Sequence, residues 1–196
     1  MEHRVDVFHT LAEISVAITG FSSLIIIFRG SSTDWNRQDY LSFGYVLSWS
    51  VGSIFLSLLP IVLVEFGMKL SAAAQIGLLS TPAYMFTAGG MLGYARNRIV
   101  REEDWQSRPL WRSAVGPGRI GIGMSLSALV IVTGALAAGL GLLPGPQHAW
   151  FAATIVLLML HAIAEMGVFV LRTTRQGSLE GSTSVDAEPL GGSDGE

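Results

Sequence analysis

The chain of 196 residues contains no cysteine. That excludes disulfides, thiolate metal sites and thiol nucleophiles, and it leaves the redox compartment unspecified. Charge is also scarce. Only 14% of the residues are charged, against roughly 25% in a soluble domain. The metalloprotease pattern H-E-x-x-H does not occur, and no nucleophile constellation replaces it. An enzyme is therefore not the expected class, no catalytic residue is assigned, and no cofactor is expected. No internal repeat is visible, which counts against an inverted-repeat transporter plan. A cleaved signal peptide is not expected either. The first apolar run starts close to Met1, behind Glu2, Arg4 and Asp6, and it is followed by Phe28-Arg29-Gly30-Ser31 and not by an A-x-A-like site.

What is present is hydrophobic length. Half of the residues are hydrophobic, and the mean hydropathy is +0.50. Five long apolar stretches cover about residues 7–28, 41–64, 72–95, 120–143 and 149–171. Runs of about 20 residues are what a helix needs to cross a hydrocarbon core of ~30 Å. Tyr40, Tyr94 and Trp150 fall at expected span ends, where aromatic rings favour the headgroup level. Lys and Arg collect in alternate gaps between the stretches, ten on one side and two on the other. By the positive-inside rule this places the N-terminus outside and the C-terminus in the cytoplasm.

Two segments lie outside the apolar runs. The third loop, about residues 96–118, holds six arginines. Arg101, Trp105, Arg108 and Arg112 share one face of a short interfacial helix if that loop is helical, with Pro109 interrupting it; otherwise the loop is solvated and only sets topology. After Arg175 there is no Lys or Arg, and Glu180, Asp186, Glu188, Asp194 and Glu196 follow. Removing these five acids takes the net charge from −3 to +2, so the acidic balance belongs to the tail. Residues 176–196 are polar, acidic and rich in Gly and Ser, and are expected to be disordered. Residues 1–175 form the transmembrane domain in this reading. No nucleic-acid partner is expected; the bilayer itself is the main partner.

Ionisable groups inside a span speak of function, because each costs about 2.5–3.5 kcal/mol or more at mid-bilayer. In the first span His9 and Glu13 are four apart and stack on one helical face. Asp6, Glu13 and Gly20 recur at seven, as do His9, Val16 and Ser23, so one polar stripe descends the helix. That stripe is expected to face protein or water, with Glu13 about 7 Å inside the outer boundary. Ser15, Thr19 and Ser22 line a neighbouring strip. In the fifth span His161 and Glu165 repeat the spacing, deeper in the bilayer. The four groups lie at different depths, so a single shared metal site is not expected, and no metal is assigned. Each pair either carries a proton or cation or bonds within its helix and ties helices together. Glu165 also lies within two turns of Arg172, to which it can snorkel. At the outer end of the second span, Glu65 and Lys69 have ion-pair spacing, and Glu65 lies on the same side as Glu13, where the two can share an outer vestibule.

Small and kinking residues complete the pattern. Ser50, Ser53, Ser57 and Pro60 make a polar strip in the second span, and Ser80, Thr81 and Pro82 a shorter one in the third. Gly89 with Gly93, Gly121 with Ser125, and Ala135 with Gly139 have the small-x-x-x-small spacing that lets helix backbones approach.

The strings Leu11-Ala12-Glu13-Ile14, Thr19-Gly20-Phe21 and Ser57-Leu58-Leu59-Pro60 resemble a group of small, uncharacterised bacterial multi-pass membrane proteins. In that group an early acidic residue precedes a Gly-Phe in the first span, and the second span closes on Leu-Leu-Pro. The resemblance covers about a third of the chain. It implies a bacterial plasma (inner) membrane and brings no established activity.

The sequence thus predicts an all-α bundle of five transmembrane helices, N-terminus outside and C-terminus cytoplasmic. The function expected is that of a cation or proton channel or transporter subunit. Five short-looped spans leave little room for a private path, so a homo-oligomer is expected. Its path residues are Glu13 and His9 outside, His161 and Glu165 inside, and Glu65 at the vestibule. The alternative is a non-catalytic accessory or scaffold protein acting through the basic loop and the acidic tail.

Overall fold

The computed structural model describes residues 2–30, 37–102 and 117–185. All regular structure among them is helical: α1 (Glu2–Gly30), α2 (Arg37–Glu65), α3 (Leu70–Glu102), α4 (Pro117–Gly139) and α5 (Gln147–Val185). Three helices are long and apolar enough to cross a membrane, over Val5–Ile25 in α1, Phe43–Glu65 in α2 and Gln147–Leu171 in α5. The apolar part of α4 is shorter, Gly123–Gly139. In α3, Gln75, Ser80, Thr81 and Thr87 dilute the apolar run. A helix is the form that lets such sequences satisfy every backbone group without water.

The helix ends differ from the expected spans, and local chemistry explains two of them. α2 stops at Glu65 because Gly67 adopts φ 86°. The Gly67 N–H then bonds to the Val64 carbonyl (2.8 Å) and the Met68 N–H to the Leu63 carbonyl (3.1 Å). This is a Schellman stop, which caps otherwise orphaned carbonyls. α4 ends the same way at Gly141, φ 72°, with Gly141 N–H bonded to the Ala138 carbonyl and Leu142 N–H to the Ala137 carbonyl. It therefore ends at Gly139, short of residue 143. In contrast, α3 runs on through Arg96, Arg98 and Arg101 to Glu102, taking in the start of the basic loop. The interfacial-helix residues Trp105, Arg108, Pro109 and Arg112 lie outside the described residues. α5 runs to Val185, so the first ten residues of the acidic tail continue that helix; residues 186–196 lie outside the described residues.

Helices α2, α3, α4 and α5 pack in a closed ring, α2 on α3, α3 on α4, α4 on α5 and α5 on α2, with α3 and α5 also touching across it. α1 leans on α2 and α5 from outside. Its inward face is Phe8, Leu11, Ala12, Ser15 and Ser22, all buried. This i, i+3, i+4, i+7 spacing is one stripe of a helix. The Phe8 and Phe151 rings sit 5.6 Å apart, and Ser22 Oγ, which donates to the Ile18 carbonyl at 2.7 Å, lies 3.2 Å from Met166 Sδ. These two contacts set α1 and α5 parallel and nearly in register.

Close approach of the helices rests on glycines that spacing motifs do not mark. The Phe151 ring occupies the place where a Cβ on Gly77 would stand, and the Tyr84 ring does the same at Gly52. Of the marked pairs, Ala135 and Gly139 do face a neighbour: Ala135 is buried, and a Cβ on Gly139 would meet Leu79 Cδ2 at 2.9 Å. A Cβ on Gly89 would meet only Trp49, at 3.8 Å, and one on Gly93 nothing within 4 Å. Phe55, Phe86, Leu129, Val130 and Leu160 are exposed on the outer surface. So broad an apolar surface is what lipid covers and water does not.

Candidate functional site

The polar residues of the bundle divide into an inner and an outer set. The inner set centres on His161 of α5, 6% exposed. Its Nδ1 is 2.8 Å from Ser127 Oγ on α4. The Ser127 hydroxyl donates to the Met124 carbonyl at 2.8 Å on its own helix, which leaves its oxygen to accept from the His161 Nδ1–H. The imidazole stands edge-on to Trp49 of α2, centroids 5.6 Å apart and planes at 79°. Trp49 in turn meets Tyr84 of α3 at 6.4 Å and 75°. The Tyr84 hydroxyl donates to the Ser48 carbonyl, with Ser48 Oγ at 3.2 Å. One layer of side chains thus joins α2, α3, α4 and α5. Gly52 makes it possible, because the Tyr84 ring lies against its bare Cα. Two polar atoms in this region, Trp49 Nε1 and Ser50 Oγ, are buried without a partner.

The remaining buried hydroxyls do not extend this layer into a relay. Ser15, Ser53, Ser57, Thr81 and Thr154 each donate to a carbonyl four residues back on their own helix. A hydroxyl has one proton, so these are satisfied locally and serve as small packing groups. The Pro60 and Pro82 rings remove one backbone bond each from α2 and α3. Ser57 and Thr81 donate to Ser53 and Gly77 and so do not cover the carbonyls those prolines free. Ties between helices among the described residues include Ser127 to His161, Tyr84 to Ser48, and Gln75 Nε2 to the Gly139 carbonyl at 2.9 Å, which caps the end of α4.

The outer set lies on α1. Asp6, His9, Glu13, Val16 and Gly20 are all exposed, on the face turned away from α2 and α5. The sequence places this stripe against protein or water; among the described residues no helix covers His9, Glu13, Val16 or Gly20. The reason is competition on one helix: Phe8, Leu11, Ala12, Ser15 and Ser22 take the inward face, and Glu13 lies opposite them. No hydrogen bond or ion pair to His9 or Glu13 is seen among the described residues.

The five path candidates are therefore not brought together. From the Phe8–Phe151 and Ser22–Met166 contacts, His161 is level with about Ala17 to Ile18, some 7 Å further along the α1 axis than Glu13 and on the other side of α1. Glu165, one turn beyond His161, is half-buried and engaged. Glu65, the last residue of α2, is exposed. The expected ion pair between Glu65 and Lys69 does not form among the described residues, because the Gly67 turn takes Lys69 off the helix that the spacing of four presumes. No cluster of three or more His, Asp or Glu able to hold a metal occurs among the described residues.

Sequence reasoning missed Trp49, Tyr84, Ser127 and Gly52. The available signal was position: Trp49 and Tyr84 fall inside apolar runs, whereas aromatic belts sit at span ends. No family model, curated protein or solved structure matches the chain.

Proposed function

We propose that this is a five-span protein of a bacterial plasma membrane, N-terminus outside, that works as an oligomeric proton or cation channel or transporter subunit, with Glu13 and His9 lining the path where copies meet. The observation that carries this reading is the exposed Glu13, with His9 one turn before it, in the middle of the outward face of an apolar helix. Left against lipid, such a carboxylate is costly, approaching about 2.5–3.5 kcal/mol at mid-bilayer. Water or a second protein surface removes that cost, and either gives a proton or cation a place to bind. The self-satisfied hydroxyls inside the ring support a path between copies and not through one chain. His161, enclosed by the four-helix ring on the other side of α1, lies off such a path. Arg4 lies near one end of α1 and Arg29 at the other, so orientation rests on the whole ten-to-two split of basic residues. Reporter fusions after Gly30 and Glu196 read cytoplasmic in this reading, and one after Pro146 reads external.

The test is Glu13→Gln in purified liposomes. The amide keeps the shape and hydrogen bonding of the carboxyl but cannot ionise. Proton or cation flux is lost while helical content and thermal stability are retained. Flux equal to wild type overturns the assignment.

A second reading, a membrane accessory or scaffold protein, draws on the His161 layer. Buried side-chain ties among four helices fix one packing without needing transport. It takes over if no ion moves through wild-type protein.

A further inference from the structure

We infer that the turn between α4 and α5, residues 140–146, is a lipid-inserted surface. Leu140 and Leu142 reach into the acyl chains of the bilayer, while the turn between α2 and α3, at the same end of the bundle, stands above it in water. The inference rests on the five-span reading, and not on any ion flux.

The two turns are set at different heights. Gln75 Nε2 donates to the Gly139 carbonyl, so α4 ends level with Gln75, five residues inside the start of α3 at Leu70. At 1.5 Å per residue that end is about 8 Å short of Leu70. The Phe151 ring occupies the place of a Cβ on Gly77. That contact puts Gln147, the first residue of α5, about 4–5 Å short of Leu70. The α2–α3 tip therefore rises past its neighbour, and it carries charge: Glu65 and Lys69 are both exposed there. By contrast, no Asp, Glu, Lys or Arg occurs from Ile120 to Ala164. Nothing charged holds the α4–α5 turn in water.

The side chains of the low turn suit lipid. Leu140 is 60% exposed and Leu142 72% exposed. Leu129, Leu136 and Leu140 are all exposed and follow one another at steps of seven and four, so they share one face of α4. The outer apolar surface of that helix thus runs without a break into the turn.

The backbone is the stronger argument. A helix end leaves four carbonyls without intrahelical partners, and a bare carbonyl is costly where lipid replaces water. At the end of α4 all four are covered from within the chain. Leu136, Ala137 and Ala138 accept from the N–H groups of Leu140, Leu142 and Gly141, and Gly139 accepts from Gln75. At the end of α2 the turn covers Val62, Leu63 and Val64, and no donor to the Glu65 carbonyl is seen among the described residues. The cover continues past α4: the Trp150 indole N–H donates to the Pro144 carbonyl at 2.8 Å, and Pro144 and Pro146 have no N–H to satisfy. In water a helix end is capped by solvent. A side chain lent by a neighbouring helix is what it needs where solvent is scarce.

The chain has no cysteine, so a single introduced cysteine carries a nitroxide label without background. Labels at Leu140→Cys and Leu142→Cys are compared with Glu65→Cys and Lys69→Cys at the tip and with Leu129→Cys and Leu160→Cys further along the helices, in phosphatidylethanolamine–phosphatidylglycerol vesicles. All six positions are exposed. Oxygen concentrates in lipid and a charge-neutral nickel chelate in water, so collisions with each report the surroundings of a label. The expected ratio of oxygen to nickel collisions at 140 and 142 is severalfold above that at 65 and 69, and close to that at 129 and 160. Nickel collisions at 140 and 142 as frequent as at 69 place the turn in water and overturn the inference. Few collisions with either agent place it under protein and overturn it equally. The five-span reading fails separately: it falls if 129 and 160 meet nickel freely, whereas with those two in lipid only the turn is at stake.

Discussion

α1 and α5 carry the same short pattern, a His four residues before a Glu, and place it in opposite surroundings. On α5, His161 is buried, bonded to Ser127 and edged by Trp49. On α1, His9 and Glu13 are exposed on the side away from the bundle. The spacing fixes that the two groups share a face. It does not fix where that face points. That is decided by the other residues of each helix: α5 presents Phe151, Ile155, Leu158 and Ala162 around His161, whereas the inward face of α1 is filled by Phe8, Leu11, Ser15 and Ser22. One histidine is thereby a packing element, and the other is free to meet something beyond the chain.

The sharpest way to break this comparison is to make the same substitution on both sides of it. Alanine at Gly77 or Gly52 must displace the Phe151 or Tyr84 ring, both held in the packed interior. Overpacking of this kind costs about 1–3 kcal/mol. Alanine at Gly20 meets no neighbour and improves helix propensity by up to about 1 kcal/mol. Denaturation in detergent should therefore show opposite signs, a loss for Gly77→Ala and Gly52→Ala and a small gain for Gly20→Ala. A loss for Gly20→Ala as large as the others would place α1 inside the bundle.

Next in size is a backbone effect at a helix end. Gly67 sits at φ 86° in the turn after α2, a region L side chains avoid at a cost of order 1–3 kcal/mol. Gly67→Ala should lower stability by about 1 kcal/mol, with no clash, since nothing lies within 4 Å of its would-be Cβ. It separates conformational cost from the steric cost at Gly77. An unchanged melting temperature would mean that the Schellman stop does not persist in the membrane protein.

The same residues show what could be read in advance. Helices were legible because an apolar run of about 20 residues has one favourable form in lipid. Their ends were less so: Gly141 stops α4 before residue 143, and only the observed φ distinguishes it from the many helical glycines. His161 was visible as a rare ionisable group in an apolar run. Its partners were not, since Ser127 and Trp49 join it through packing of separate helices, which no local period encodes. The G-x-x-x-G at Gly89 and Gly93 was visible and makes no tight contact within the chain, whereas the isolated Gly52 and Gly77 carry the close contacts. A spacing motif records two gaps on one helix; a ring from a neighbour needs only one.

A smaller effect tests the inner half of the comparison. Ser127→Ala removes the hydroxyl that pairs with His161 Nδ1, and His161→Phe keeps the edge contact with Trp49 while removing the polar atoms. A double-mutant cycle should give a coupling of about 0.6 kcal/mol, the average for side-chain hydrogen bonds between membrane helices. Zero coupling would reduce the His161 layer to aromatic packing alone.

The smallest expected effect is at Glu65 and Lys69, where spacing and structure disagree outright. On a continuous helix, residues four apart and opposite in charge stabilise each other by about 0.2–0.5 kcal/mol. Here α2 stops at Glu65, and the turn at Gly67 reverses the chain before Lys69. Both side chains are exposed, so each is solvated by water or headgroups alone. Glu65→Gln, Lys69→Gln and the double variant should each stay within about 0.5 kcal/mol of wild type, the range for surface changes away from special features. Their effects should add, because no shared partner couples them. Any coupling that shrinks with added salt would mean that α2 extends past Gly67 in the membrane, and would return Glu65 to the outer end of the helix beside Glu13.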